Sequence, residues 1–357
     1  MSLGALPEAF AAARRPVLVA GEMRDGGRLR AAAGRAGLPV LAEPSSHLRS
    51  RELPYDAMLR ASGWAAAHRP DLVVRIGAPP TSKALNQWLA AARPRTFLVA
   101  PHGWPDPDRL ATDVLRCDPL PVVEALAGPS TVWMEEWHDA ATRAAQALNA
   151  ALDAGPLHEG KVVRALAAAV APDAAVFAGS SMPIRDVDTF WPATHPGQSF
   201  LGNRGASGID GLVSSGLGMA AAWPERPAVL LLGDLSLYHD MNGLWALRRH
   251  GLRATIVVLD NDGGGIFEFL PQAAHKDVFE DLFATPLGLR LEDVARLYGL
   301  RYACVDRAEE LAPALAAALG AAESVLLAVR FTRAGSVAGH RACWRAVAKA
   351  LGDQGVQ

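Results

Sequence analysis

Short apolar runs recur along the chain, each followed by a stretch long enough for one helix. Residues 15–21, 38–41, 71–77 and 96–100 predict strands, and 28–36 predicts a helix that stops at Gly37. The runs are continuously apolar rather than alternating, as expected for strands buried on both faces of a parallel sheet with crossover helices. No G-x-G-x-x-G follows any of these runs, so a dinucleotide site is not supported. A long helix is predicted over 133–152, and Asp153-Ala154-Gly155-Pro156 breaks it. The domain boundary is expected there, giving domains 1–154 and 155–357. The second part alternates in the same way: a helix over 159–170, a strand over 174–177, a glycine-dense loop over 202–211 and a helix over 212–223. Strands at 228–232 and 254–259 follow, joined by a helix that stops at Gly251. Helices near 291–299 and 308–319, a strand over 325–331 and a helix near 339–351 complete the pattern, an α/β class with two parallel-sheet domains.

Composition narrows the function classes. The chain has 357 residues, half of them hydrophobic and 20% charged, which suits a globular protein of more than one domain. A net charge of −2 gives no reason to expect nucleic acid as a partner. Cys117, Cys304 and Cys343 are scattered and form no Cys-x-x-Cys, which fits a reducing cytoplasm better than a disulfide framework. No basic segment followed by an apolar core opens the chain, so no signal peptide is expected. The apolar stretches at 212–223 and 311–322 are too short to span a bilayer, so no membrane insertion is expected.

The chemistry concentrates at two strand ends. The run 228–232 ends in Gly233-Asp234, and the run 254–259 ends in Asp260-Asn261, followed by Asp262-Gly263-Gly264-Gly265-Ile266-Phe267. In an open α/β sheet, ligands bind outside the carboxyl ends of the strands. A carboxylate, an amide oxygen and a backbone carbonyl there, completed by diphosphate oxygens and water, would meet the oxygen demand of Mg2+. Gly-Asp alone is more often a plain strand end with a capping Asp. The second strand end at the right separation favours the cation site. His239 and Asp240 read as positions on the helix beginning near Ser236, and the remaining histidines show no metal-ligand spacing.

Several blocks resemble one family. These are Gly233-Asp234-Leu235-Ser236, the segment 261–267, Asn203-Arg204-Gly205-Ala206-Ser207-Gly208-Ile209-Asp210-Gly211 and Ser181-Met182-Pro183-Ile184-Arg185. Thr81-Ser82-Lys83 with Gln87-Trp88 adds a match in the first domain. The family is the 2-succinyl-5-enolpyruvyl-6-hydroxy-3-cyclohexene-1-carboxylate synthases, thiamine-diphosphate enzymes of menaquinone biosynthesis. The resemblance implies two doubly wound parallel-sheet domains, the central and the diphosphate-binding domain of that fold. It implies a transferase that uses thiamine diphosphate with Mg2+ or Mn2+, decarboxylates 2-oxoglutarate and adds the resulting enamine to isochorismate. On this resemblance Asp234, Asn261 and Gly263 hold the metal. Ile209, Gly233, Ser236, Gly264, Ile266 and Phe267 bind the cofactor. Lys83, Ser181, Arg185, Arg204 and Leu270 bind substrate. Both substrates are dianions, so the site needs several fixed cations.

Plainer readings stand beside these. A single Arg in an Arg-rich chain is usually a surface charge, Ile209 suits an ordinary core, and Ile266, Phe267 and Leu270 suit a packed turn. Ser181 suits a helix cap. Three departures stand out: Leu235 follows Gly-Asp where many thiamine enzymes have glycine, Asp260 precedes Asn261 where asparagine is usual, and Ala84 follows Lys83 where the family often has arginine. No catalytic residue is identifiable. The activating glutamate of the family lies in an N-terminal pyrimidine-binding domain that this chain is not expected to contain. Little activity and weak cofactor binding are therefore expected of the chain alone, with a homo-oligomer or a separate pyrimidine-binding domain as partner. The alternatives are another thiamine-diphosphate carboligase, such as an acetolactate-synthase-like enzyme, and a non-catalytic remnant.

Overall fold

A computed structural model of the protein describes residues 3–353. The chain divides into two compact units. Unit 1 comprises residues 1–151 with 192–196 and 343–357, and unit 2 comprises 152–191 with 197–342. The first crossing falls inside the helix Val132–Ala154.

Unit 1 is built on five parallel strands: β1 (Pro16–Ala20), β2 (Val40–Ala42), β3 (Leu72–Ile76), β4 (Arg95–Val99) and β5 (Asp113–Leu115), in the order β2-β1-β3-β4-β5. Every residue of β1 and β3 is buried, which explains their unbroken apolar sequence. The exception is Arg75 in β3. Its Nη1 donates to Asp106 Oδ1 at 3.0 Å, and both side chains are almost fully buried. Asp106 also accepts the backbone N–H groups of Leu110 and Ala111, so this ion pair organises the loop between β4 and β5.

Unit 2 holds six parallel strands: β6 (Ala175–Ala178), β7 (Ser199–Leu201), β8 (Ala228–Gly233), β9 (Thr255–Asp260), β10 (Arg301–Val305) and β11 (Val325–Arg330). Their order is β10-β11-β9-β8-β6-β7. The apolar core packs Leu230, Leu232, Ile256 and Val258 against Leu212, Val213 and Leu217 of the helix Leu212–Ala222. That helix comes very close to β8: a Cβ added to Gly216 would lie 2.6 Å from the Leu230 side chain. Both sheets are all parallel, the α/β architecture the apolar pattern predicts.

Three strands escaped the sequence pattern: β5, β7 and β10. Each is an edge strand, and two have only three residues. An edge strand is covered less completely, so in β10 only Val305 is buried and β5 is half-buried throughout. The last helix also starts earlier than expected, at Arg333 rather than near 339, and runs to Ala350.

The buried Arg75–Asp106 pair sets a stability test. Asp106→Ala strands a buried guanidinium and is expected to cost about 3–5 kcal/mol in denaturant unfolding. A loss below about 1 kcal/mol would mean that solvent reaches Arg75 and the pair does not organise this loop.

Candidate functional site

The strand order of unit 2 brings several of the candidate residues to one edge. The chain passes from β6 to β7 on one side and then returns to lay β8 on the other side of β6. Connections leave in opposite directions at such a reversal and open a crevice at the carboxyl ends. The ends of β9, β8, β6 and β7 lie consecutively along that edge. They carry Asn261, Asp234, the Ser181–Arg185 segment and the loop with Arg204 and Ile209, in that order.

Asp234 is the centre of the arrangement. It is the first residue of the short helix Asp234–His239, and its carboxylate is nearly fully buried. Oδ1 accepts the Leu235 N–H at 2.7 Å, and Oδ2 accepts the Gly263 N–H at 2.8 Å. Burial pushes its pKa up to about 6, against the pull of those two N–H groups and with help from Asp260 and Asp262. Asn261 lies at the end of the adjacent strand. Its Oδ1 is buried and meets no hydrogen-bond donor among the described residues. A buried acceptor with nothing to accept is costly in a protein interior. An oxygen-seeking cation next to Asp234 would satisfy it. The Gly263 carbonyl accepts the Gly265 N–H at 2.9 Å and keeps a second lone pair.

The turn after Asn261 needs its glycines for a local reason. Gly263 holds φ +134°, and a Cβ there would lie 2.3 Å from the Ala284 carbonyl oxygen. Cβ atoms on Gly264 and Gly265 would meet the Phe283 carbonyl at 2.5 Å and Asn261 Nδ2 at 2.6 Å. The glycine run therefore packs against the segment 283–284 and the Asn261 side chain. That crowding is a reason for the glycines in its own right. Ile266, Phe267 and Leu270 follow in and just after the turn Gly265–Phe269, all half-buried, with Phe267 edge-on to Phe283. Ser236 is buried one turn beyond Gly233.

On the other side of the crevice, Ser181 precedes the helix Met182–Phe190 with φ 75° and ψ −132°. Its hydroxyl makes no capping bond, so the plain helix-cap reading fails here. A serine in this region is strained, and such residues concentrate at ligand sites. Arg185 donates from Nη1 back to the Ser181 carbonyl at 2.5 Å. Asn203 binds the Ser215 hydroxyl at 3.0 Å, Arg204 is half-buried beside it, and residues 205–208 are exposed. Ile209 packs partly against the unit 2 core. Lys83 belongs to unit 1, where it is the exposed first residue of the helix Lys83–Ala92 behind the Ser82 cap.

Two of the departures have a structural account. Asp260 turns to Arg330, its register partner on β11, at 3.2 Å. Ala84 is buried in the first turn of its helix. Asp240 accepts both the N–H and the hydroxyl of Ser214, which assigns it to the start of the helix Leu212–Ala222. Arg333 was missed by sequence reasoning. It donates to the Asp262 carbonyl at 3.1 Å and to Glu280 at 2.6 Å, and approaches Glu268 at 3.7 Å, bracing the glycine turn. No local motif marks it, because its partners lie far away along the chain.

Comparison with known proteins bears on this geometry. Residues 185–329 match the family described as "Thiamine pyrophosphate enzyme, C-terminal TPP binding domain". Residues 8–178 match "Middle domain of thiamine pyrophosphate". A 2-succinyl-5-enolpyruvyl-6-hydroxy-3-cyclohexene-1-carboxylate synthase from Geobacillus thermodenitrificans is 40% identical over 98% of this chain and 62% of its own length. Proteins of the same name from Rubrobacter xylanophilus and Halobacterium salinarum are each 40% identical, over 96% and 91% of this chain. The chain spans 62% and 58% of those two relatives. No helix among the described residues is long and apolar enough to cross a membrane.

The crowding at Gly263 gives a direct test. Gly263→Ala is expected to break the turn, at a cost of about 1–3 kcal/mol for the lost backbone conformation alone. Hydrogen exchange should show lost protection at Gly264, whose N–H donates to Ala284, while β8 and β9 keep theirs. Unchanged protection at Gly264 would mean that the turn tolerates a side chain.

Proposed function

Because the chain belongs to the thiamine-pyrophosphate enzyme family, we propose that unit 2 holds Mg2+ and thiamine diphosphate at the carboxyl ends of β8 and β9. The proposed reaction is decarboxylation of 2-oxoglutarate and conjugate addition of the resulting four-carbon unit to isochorismate, as in the synthases the chain resembles. The single observation that carries the cofactor reading is the pairing of the buried Asp234 carboxylate with the orphaned Asn261 Oδ1. A carboxylate that burial makes reluctant to ionise and an acceptor without a donor are both relieved by one hard cation. The residues present fit the group.

Asp234, Asn261 and the Gly263 carbonyl would hold the cation, and Gly233, Ser236 and Gly264 would face the diphosphate. Ile209, Ile266 and Phe267 would form apolar walls that exclude water. The cofactor, when bound, supplies an electron sink for the carbanion left by decarboxylation. Arg185 and Arg204 would bind substrate carboxylates, with the Ser181 hydroxyl as a further donor and Leu270 as apolar wall. Two arginines at the strand ends favour a dicarboxylate over pyruvate, which is the difference from an acetolactate-synthase-like carboligase.

Mn2+ added with thiamine diphosphate is expected to broaden amide signals at Asp234 and 261–265 in the magnetic resonance spectrum of the chain. Asp234→Ala should remove that localised effect and weaken cation binding by more than the ~10–100-fold typical of an outer-shell substitution. Broadening spread over exposed acidic residues instead would sink the reading.

A pH dependence follows from Asp234. Its folded pKa is raised to about 6, so it is ionised and ready for a cation at pH 7.5. Below about pH 6 protons compete, and cation affinity should fall about tenfold per pH unit. Without a cation the sign for stability is the reverse: the folded state holds this proton more tightly, so Asp234's contribution is present near pH 4 and lost as pH rises through about 6. The rise in melting temperature caused by Mg2+ with thiamine diphosphate should therefore be largest at pH 7.5 and small at pH 5. For the substrate, Arg204→Gln should weaken 2-oxoglutarate binding by about tenfold or more, the loss of one charge-assisted hydrogen bond. Equal or tighter binding of pyruvate by the unaltered chain would favour the acetolactate-synthase-like alternative.

A further inference from the structure

A second concentration of ionisable groups lies inside unit 2, away from the strand-end carboxylates. His158, Glu159, Asp186 and His340 are each no more than 1% exposed. His340 Nδ1 lies 2.8 Å from the Ser336 carbonyl, which can only accept, so that nitrogen carries a proton. Its Nε2 lies 2.8 Å from Asp186 Oδ1, and Glu159 Oε2 approaches Nδ1 at 3.9 Å. Burial alone would strip the ring of its charge, but the charge and hydrogen bond of Asp186, with Glu159, outweigh it and push His340 up to about 9. His158 goes the other way, down to about 3, through burial and the neighbouring His340. It stays neutral, with Nδ1 accepting the Gly160 N–H at 3.1 Å.

Donor atoms of His158, Glu159 and His340 all lie within 4.8 Å of one another, which invites a metal reading. The bonding argues against it. Both ring nitrogens of His340 already engage oxygen partners at 2.8 Å, so ligation would break one of those bonds.

The neighbours of His340 suggest a different role. Asp186 directly follows Arg185 in the helix Met182–Phe190. Phe269 ends the turn that carries Ile266 and Phe267, and its ring stands edge-on to His340 with centroids 5.2 Å apart. Phe190, at the end of the Arg185 helix, packs at 5.3 Å. About two turns before His340, at the start of the helix Arg333–Ala350, Arg333 grips the Asp262 carbonyl and Glu280. The helix Met182–Phe190 also begins at a strained serine without a capping bond, so something else must fix its position.

We propose that His340 is a positioning residue: through Asp186 and Phe269 it holds the Arg185-bearing helix and the Gly265–Phe269 turn in register across the crevice. The inference rests on reading Arg185 and Ile266–Phe267 as ligand-facing. It adds an anchor that touches neither ligand nor metal.

His340→Gln tests it on the chain itself. In the magnetic resonance spectrum the Arg185 Nε–Hε signal and the amides of 266–269 should both shift, while those of β8 and β9 stay put. A folded variant that leaves the Arg185 and turn signals unmoved overturns the proposal. Should the variant not fold, the unaltered chain still decides: His340 ring protons should exchange with solvent far more slowly than those of exposed His239, and equal rates overturn it. A double-mutant cycle for 2-oxoglutarate binding separates this proposal from the reading it rests on. If His340 acts through Arg185, adding His340→Gln to Arg185→Gln should change affinity less than about twofold. Additive losses overturn positioning through Arg185. No loss from Arg185→Gln, with the signals shifted as described, supports positioning and refutes Arg185 as a substrate ligand.

Discussion

The hydrogen bond from the Gly263 N–H to Asp234 joins the end of one strand to the turn after the next. β8 and β9 are already neighbours in the sheet, but a ladder ends where the strands end. Beyond it, the position of the turn depends on this buried carboxylate and on the glycines that let the backbone close in. Gly263 could not take its φ with a side chain against Ala284, and Arg333 braces the turn from outside. Remove the carboxylate and the Gly263 N–H loses its acceptor, which the buried backbone does not tolerate without cost.

That arrangement is held at an electrostatic expense. Asp234 is buried near Asp260 and Asp262, and nearby Glu268 and Glu280 line a groove with Arg330 and Arg333. Arg330 and Arg333 offset part of this charge, Arg330 on Asp260 and Arg333 on Glu280. Neither is hydrogen-bonded to Asp234, whose carboxylate meets two backbone N–H groups among the described residues. The unpartnered Asn261 Oδ1 adds to the deficit on the same side. A folded protein that leaves such a deficit is poised to gain free energy from a divalent cation.

The parallel topology then distributes charge along one edge. Acidic and amide oxygens stand at the ends of β8 and β9, and arginines stand at or beyond the ends of β6 and β7. The reversal of strand order between β6 and β8 lies between the two groups. The proposed division of labour sets a cation and a diphosphate on one side and a carboxylate substrate on the other. The tandem matches to the middle and C-terminal domains of thiamine pyrophosphate enzymes support thiamine diphosphate as the cofactor.

Much of this was legible in the chain because it is local. Central strands buried on both faces must be apolar throughout, so β1, β3, β8, β9 and β11 declare themselves, and Gly-Asp and Asn-Asp-Gly-Gly-Gly mark their ends. The edge strands β5, β7 and β10 carry too little buried surface to leave that imprint. Arg333 and His340 were illegible for another reason. An arginine bracing a turn 71 residues away and a histidine bonded to an aspartate 154 residues away have no spacing to recognise. The sequence by itself determined the central strands and which side chains stand at their ends, since periodicity and turn chemistry act between near neighbours. Only the tertiary structure decided that the glycines are there for crowding, that Asp260 turns to Arg330, and that one buried histidine links the two sides of the crevice. Those outcomes depend on packing and desolvation between segments that meet only when the chain has folded.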